Sequence, residues 1–331
     1  MSHAQLVCCS GSRPTNGDEE VSHQRLRALN EPRGLVLVAL ALLGAIVSLA
    51  TACGTSPSAG SGTITVVAAE NFWGSIASQL AGSRATVRSI ITNPQTDPHA
   101  YEPTASDARA IAGADFVIEN GAGYDPWAQK LIDANPSSSR AVLDVGKLNG
   151  VAEGDNPHMW YSPTFVLEVI DTISSRLLRL DSAGSGYFAT RHDNYISTGL
   201  KQYDDLRAEI KQKYSGTPVG ATESIFAYLA SDLGLNLISP PGFLKAISEG
   251  TDPTAADKAT MDRQIASKQV KVLLFNSQNS TPDVQALVDK ARTKGIPVTS
   301  ATETLDPANV TFQDWQSKQL QALRDALAGA R

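Results

Sequence analysis

The stretch TITVVAAENFWGSIASQLAGSRATVRSII, residues 63–91, reads as a strand, a helix and a second strand. Residues 63–69 are a short apolar run, Phe72 to Leu80 suit a helix, and residues 86–91 return to strand formers. Such a succession is the unit of a parallel sheet. Working outward, a polar segment from Thr92 to Pro103 is followed by a helix from about Ser106 to Ala112 and a strand over 115–118. A turn at Gly121-Ala122-Gly123, a helix near Pro126 to Asp133 and a strand from Ala141 to Val145 complete this half.

The middle of the chain changes character. Ser162-Pro163 is a helix start, a serine cap with proline at the first helical position. Val166, Ile170, Ile173, Leu177 and Leu180 then recur at steps of four and three, giving one apolar face over about five turns. A second helical stretch runs from about Tyr187 to Lys213. The α/β pattern resumes with a strand over Pro218 to Ala221, a helix from about Ser224 to Leu233, a strand over Val270 to Phe275 and a helix over 282–293. Gly295 to Val298 begins a further strand, and Thr311 with Asp314 resembles a capping box opening a terminal helix. The expected fold is α/β: two lobes with mostly parallel sheets joined by a long connector helix, with the ligand site in the cleft between them.

The first 60 residues point outside the cytoplasm. Arg25, Arg27 and Arg33 precede an apolar run from Leu35 to Ala52 that ends in small residues and Cys53, the order of a secretory signal. Leu49-Ala50-Thr51-Ala52-Cys53 resembles a bacterial lipobox, with a Gly/Ser/Pro tether from Gly54 to Gly62 behind it. Lipidation of Cys53 is the favoured reading. A permanent anchor and a signal cleaved without lipid stay open beside it. Cys8 and Cys9, adjacent to each other, suit neither a relaxed disulfide nor a four-ligand zinc site. The acidic cluster Asp18-Glu19-Glu20 is odd ahead of a signal, and Val21 is an alternative start.

The organisation expected is a leader and signal over 1–52, a flexible tether over 53–62, an N-terminal α/β lobe over 63–161, a helical connector over 162–214 and a C-terminal α/β lobe over 215–331. Beyond Cys53 there is no cysteine, so no internal disulfide forms. The formal net charge is −6, and charges up to residue 52 cancel, which does not suit nucleic acid.

Histidine is scarce after Cys53: His99, His158 and His192. Two of the three stand in matching tripeptides, Asp97-Pro98-His99 and Asn156-Pro157-His158. Proline stiffens the backbone that presents each ring, which is useful where ligand positions must be right within tenths of an ångström. Either histidine taken alone is as well read as a packed or surface loop residue. Glu223 and Glu303 each follow a strand in the second half, and the ends of parallel strands face the crevice where ligands bind. Glu223 also suits a helix first turn, and Glu303 a solvated loop. Tyr101, Trp127, Trp160 and Tyr161 read as shields of the site or packing between lobes, His192 as exposed, Glu102 as a conceivable partner of His99, and Asp252 and Asp257 as loop or capping residues.

Four segments carry a family resemblance: DPHAYEPTASDARAIAGADFVIENGAGYDPW at 97–127, NPHMWYSP at 156–163, ATESIFAYLASDLGL at 221–235 and GIPVTSATETL at 295–305. From about Thr63 onward the chain resembles the metal-binding solute receptors of bacterial ABC importers for zinc and manganese, the ZnuA/TroA/PsaA-like family. The resemblance implies two lobes joined by a long helix around one divalent ion, with His99, His158, Glu223 and Glu303 as ligands. The fourth ligand is usually aspartate in that family, so Glu303 is longer by one methylene. Two histidines with two carboxylates form a harder set than three histidines with one, favouring Mn2+ or Fe2+ slightly, with Zn2+ close behind. The resemblance further implies an ABC permease as partner, a lipid-anchored monomer on the extracytoplasmic face of the cell membrane, and no enzymatic activity. No HExxH or GxSxG motif is present. A surface adhesin or scaffold with a structural metal is the alternative, and a metal-dependent hydrolase would need an open coordination position. Acid release of the ion, by protonation of the histidines or carboxylates, is expected.

Overall fold

The computed structural model describes residues 63–330; the expected signal, the tether and Cys53 lie outside the described residues. Two four-stranded sheets organise the molecule. The first holds β1 (Ile64–Glu70), β2 (Ala85–Ile91), β3 (Phe116–Glu119) and β4 (Ala141–Asp144) in the order β2-β1-β3-β4. The second holds β5 (Pro218–Ala221), β6 (Asn236–Leu237), β7 (Val272–Asn276) and β8 (Val298–Ala301) in the order β6-β5-β7-β8. Every strand pair is parallel. All but one residue of β1 is buried, as a central strand covered on both faces requires, while edge strand β2 mixes buried and exposed positions. Both sheets thus have the same order, and in each the direction in which strands are added reverses between the first strand and the third, at a topological switch point.

Around the first sheet lie α1 (Asn71–Ala81), α2 (Ala105–Ala112), α3 (Pro126–Ala134) and α4 (Val145–Asn149). A Cβ on Gly74 of α1 would stand 2.0 Å from Ser89 Oγ of β2, so only glycine lets this helix lie so close to its sheet. The apolar face of α5 (Pro163–Leu180) forms as the spacing predicts: Ser162 accepts the Phe165 N–H, and Val166, Ile170, Ile173 and Leu177 are buried. Helices α6 (Ser185–Asn194) and α7 (Lys201–Tyr214) are separated by a π turn over Tyr195–Gly199, where one continuous helix was expected. The Tyr195 ring lies 3.0 Å from where a Gly199 Cβ would be, so the missing side chain makes room for the wider turn.

The second sheet is flanked by α8 (Ala227–Asp232), α9 (Pro241–Ser248), α10 (Ala255–Ala266), α11 (Pro282–Thr293) and the terminal α12 (Phe312–Gly329). Thr311 accepts the Asp314 N–H at the start of α12, as the capping pattern predicts. Asp257 sits in the first turn of α10 behind its Thr254 cap. One apolar cluster runs through both lobes, from Phe72, Trp73 and Trp160 to Phe226, Phe312 and Trp315. Polar bonds cross with it: Leu305 N–H to Asn71 Oδ1 and Phe312 N–H to Ser75 Oγ. A continuous apolar interface resists wide hinging, because separation would expose it to water. Among the described residues no helix is long and apolar enough to cross a membrane.

Candidate metal centre

At the carboxyl ends of the second sheet, Thr222 follows β5 and Glu223 opens the turn into α8, while Glu303 lies two residues beyond β8. His158 comes from the other half, just before the short 3-10 turn Met159–Tyr161 that leads into α5. One donor atom from each of His158, Glu223 and Glu303 lies within 4.8 Å of the other two. His158 and Glu223 are each 1% exposed and Glu303 9%, so three polar groups converge in a place with little water to satisfy them.

Their hydrogen bonds leave free donor atoms aimed inward. His158 Nδ1 lies 2.7 Å from Asn156 Oδ1, an acceptor, so Nδ1 carries the proton and the Nε2 lone pair is left over. Glu223 Oε2 accepts from Asn279 Nδ2 at 2.9 Å, while its buried Oε1 has no partner. Glu303 accepts from the Tyr124 hydroxyl on Oε2 at 2.9 Å and from Asn276 Nδ2 on Oε1 at 2.8 Å, leaving one lone pair on each oxygen. An imidazole lone pair and unsatisfied carboxylate oxygens at this spacing form a donor set for one divalent cation.

Electrostatics agree. Burial pushes the His158 pKa down to about 3, aided by nearby His99, so the ring is neutral and ready to donate its lone pair. Glu223 is pushed up to about 8, chiefly by burial and then by the Glu303 carboxylate, against the pull of the Asn276 and Asn279 amides. Glu303 is raised as well, again by burial first. Two buried carboxyls this close do not both ionise without a compensating positive charge.

His99 is not in the cluster. Its ring is exposed and stands edge-on to Tyr124, with centroids 4.7 Å apart, while His158 stands 6.2 Å from the same tyrosine. His99 and Glu303 both line a cleft of about 670 Å³ between the lobes. Glu102 forms no bond to His99; Asp97 Oδ1 accepts the His99 N–H at 2.9 Å, closing a tight turn. The aromatics divide. Trp160 is fully buried 5.3 Å from His158 and stacked on Phe72, and the Tyr161 hydroxyl reaches Thr302 O across the lobes. Tyr101 and Trp127 pack on each other away from the cluster, in a satellite of the first lobe. His192 is half-buried and bridges Asp171 and Asp193, joining α5 to α6 where an exposed ring was expected.

Four residues that hold the cluster were given no role of their own by the sequence reading: Tyr124, Asn156, Asn276 and Asn279. Asn276 was within reach of the strand-end rule that singled out Glu223, since it ends β7 beside β5. Tyr124 and Asn156 stood within quoted motifs, yet hydroxyls and amides are too common in loops to signal a role by type alone.

A family model described as zinc-uptake complex component A, periplasmic (ZnuA), matches residues 66–326. The chain belongs to the ZnuA family. Among its relatives is the iron-binding protein YfeA of Yersinia pestis, 28% identical over 225 residues, 63% of this chain and 70% of that one. The zinc-binding lipoprotein AdcA of Streptococcus pneumoniae strain R6 is 26% identical over 267 residues, 74% of this chain; the match spans about half, 52%, of the longer relative. A solved manganese-bound periplasmic metal-binding protein from Candidatus Liberibacter asiaticus superposes with a TM-score of 0.65 at 20% identity, over 80% of this chain and 99% of the other. This ZnuA-family chain therefore shares its two-lobed fold with that structure.

Proposed function

We propose that the protein is an extracytoplasmic receptor that takes up one divalent transition-metal ion between its lobes and delivers it to an ABC importer. The observation that carries this reading is the buried cluster of His158, Glu223 and Glu303 with its unpartnered donor atoms. A dication supplies the positive charge that the two carboxyls lack, and no proton donor or substrate pocket of an enzyme is required. His99, on the wall of the cleft, is assigned as the fourth ligand, reaching the ion as the cleft closes around it. Relatives named for iron and zinc and a neighbour bound to manganese all belong to the same chemistry of N/O sites.

Manganese or iron(II) is favoured slightly over zinc, because half of the four assigned ligands are carboxylates. Glu303, held by two donors, offers one lone pair on each oxygen, so it can bind through one oxygen or both. A lipid on Cys53 and a Gly/Ser/Pro tether would keep the carrier beside the permease it feeds. Native mass spectrometry with elemental analysis, after expression with manganese, iron and zinc all supplied, tests the reading. One ion per chain, lost from the His99→Ala, Glu223→Ala double variant, is expected; a wild-type protein without any ion would overturn it.

A further inference from the structure

Residues 154–158 cross from the first half of the molecule to the second and are pinned there by three bonds. Lys245 Nζ of α9 donates to Gly154 O at 2.9 Å, the Tyr228 hydroxyl of α8 donates to Asn156 O at 2.9 Å, and Asn156 Nδ2 donates to Ser224 O at 2.9 Å. Ser224 directly follows Glu223. The other end of the same amide, Asn156 Oδ1, accepts from His158 Nδ1 at 2.7 Å and from the His158 backbone N–H at 3.2 Å. Ser224 Oγ, 3.3 Å from both Asn156 Oδ1 and His158 Nδ1, extends the link to Ser248 Oγ at 2.8 Å and so to the end of α9.

The matching tripeptide provides an internal comparison. Asp97 makes the same turn, accepting the His99 N–H, but the His99 ring is exposed and forms no side-chain hydrogen bond. The turn therefore does not by itself fix an imidazole. What distinguishes His158 is the Asn156 amide, whose oxygen holds the His158 ring while its nitrogen donates to the Ser224 carbonyl of the second lobe. A carboxylate there could accept from Nδ1 but could not donate to the Ser224 carbonyl; an aliphatic side chain could do neither.

We propose that Asn156 is a positioning residue that sets the His158 tautomer with one end of its amide and latches the lobes through Ser224 with the other, governing how fast the ion leaves. The inference rests on the metal-receptor reading of the cluster. Orientation of a ligating imidazole by its second nitrogen is worth about 10–100-fold in metal affinity in comparable sites, and Asn156 adds to this a hold on the backbone beside Glu223.

Cobalt(II) is the probe, because its visible absorption reports the ligand set. Three proteins are compared: wild type, Asn156→Ala and Asn156→Asp, each checked for folding by thermal unfolding of the metal-free form. Affinity is read by competition with a chelator, and release by stopped-flow mixing with excess chelator. Asn156→Ala is expected to bind cobalt about 10–100-fold more weakly with an altered spectrum. Asn156→Asp, which keeps the acceptor for Nδ1–H but loses the donor to the Ser224 carbonyl, is expected to restore the wild-type spectrum and still release the ion faster than wild type. Wild-type affinity, spectrum and release rate in Asn156→Ala would overturn the proposal, as would an aspartate variant as disturbed in its spectrum as the alanine one. Failure of wild type to take up cobalt would instead remove the metal-receptor reading beneath it.

Discussion

Loading the metal-free protein at pH 7 is expected to expel about one proton per ion, and this proton comes from the carboxyl pair and not from the buried imidazole. Glu223 is pushed up to about 8 by burial and by Glu303, so about nine-tenths of it is protonated at pH 7. An ion that binds the carboxylate must displace that proton. Apparent affinity should therefore fall about tenfold per pH unit below 8, to roughly a tenth of its plateau at pH 7 and a hundredth at pH 6. His158, held down at about 3, stays neutral over this whole range and contributes nothing. Within the buried cluster the expected acid release thus narrows from His158 or the carboxylates to the carboxylates. Isothermal titration calorimetry in buffers of different ionisation enthalpy measures the protons released. Glu223→Gln should abolish most of that release and weaken binding, since an amide cannot neutralise a dication. Release of fewer than about 0.3 proton at pH 7, or an affinity flat from pH 8 to 6, would refute the account of the pair.

Tyr124→Phe removes the donor from Glu303 Oε2; a hydrogen bond to a charged group is worth about 1.5–3 kcal/mol, so binding should weaken about 10–100-fold in a chelator competition. His99→Ala should weaken ion binding while shifting the stability of the metal-free protein by no more than about 0.5 kcal/mol in urea unfolding, because the ring is exposed. Glu70→Gln, which replaces a fully buried acid raised far above the usual range by burial and by Asp125, should leave metal affinity unchanged while making the metal-free protein more resistant to urea at pH 8. Glu119 and Glu223 are each raised to about 8 and Asp125 to about 6. Their folded pKa values exceed the unfolded ones, so the stability they contribute is full below about pH 4 and lost as pH rises toward 8. His158 has the opposite sign, contributing stability above about 6.5 that is lost as pH falls toward 3. The metal-free melting temperature should accordingly decline from pH 6 to pH 8, and added metal should raise it more at pH 8 than at pH 5.5; the reverse order in a thermal scan would contradict this.

The strands were legible because apolar runs such as residues 63–69 and 272–276 have one physical explanation, burial on both faces of a parallel sheet. Elements with neither such a run nor a regular apolar helical face were not. Helix α10 buries only Met261 and Ile265, α9 opens behind Pro240-Pro241-Gly242, which reads as a turn, and β6 has two residues. The π turn at Tyr195 depends on where a distant ring packs, which no local pattern states. For the site, strand ends made Glu223 and Glu303 candidates and a rigid tripeptide made His158 one, each beside a bland reading, and the family resemblance is what singled them out. The difference between His158 and His99 did not follow, because their turns are alike and only the contact with the other lobe separates them.

The equal strand orders make the division of labour between lobes readable. Ala68 pairs with Ile118 in the first sheet as Ala221 pairs with Leu274 in the second. Two residues further along, Glu70 and Asn120 therefore occupy the places of Glu223 and Asn276. The same residue types at the same switch point have different fates. Asp125 accepts the Asn120 and Gly121 N–H groups at 2.7 and 2.8 Å and sets a second negative charge beside Glu70, which keeps its proton and turns no anion toward the cleft. Asn120 donates to Pro157 O at 3.0 Å and so supports the segment that carries His158. In the second lobe the amides of Asn276 and Asn279 face Glu303 and Glu223 themselves. One lobe thus supplies neutral imidazole and the other supplies charge. An ion touching only the first lobe would remain an uncompensated dication, and the second lobe alone would remain a crowded pair of acids. Each half supplies what the other lacks, so a dication is fully compensated only where imidazole and carboxylates stand together, as they do in this cluster.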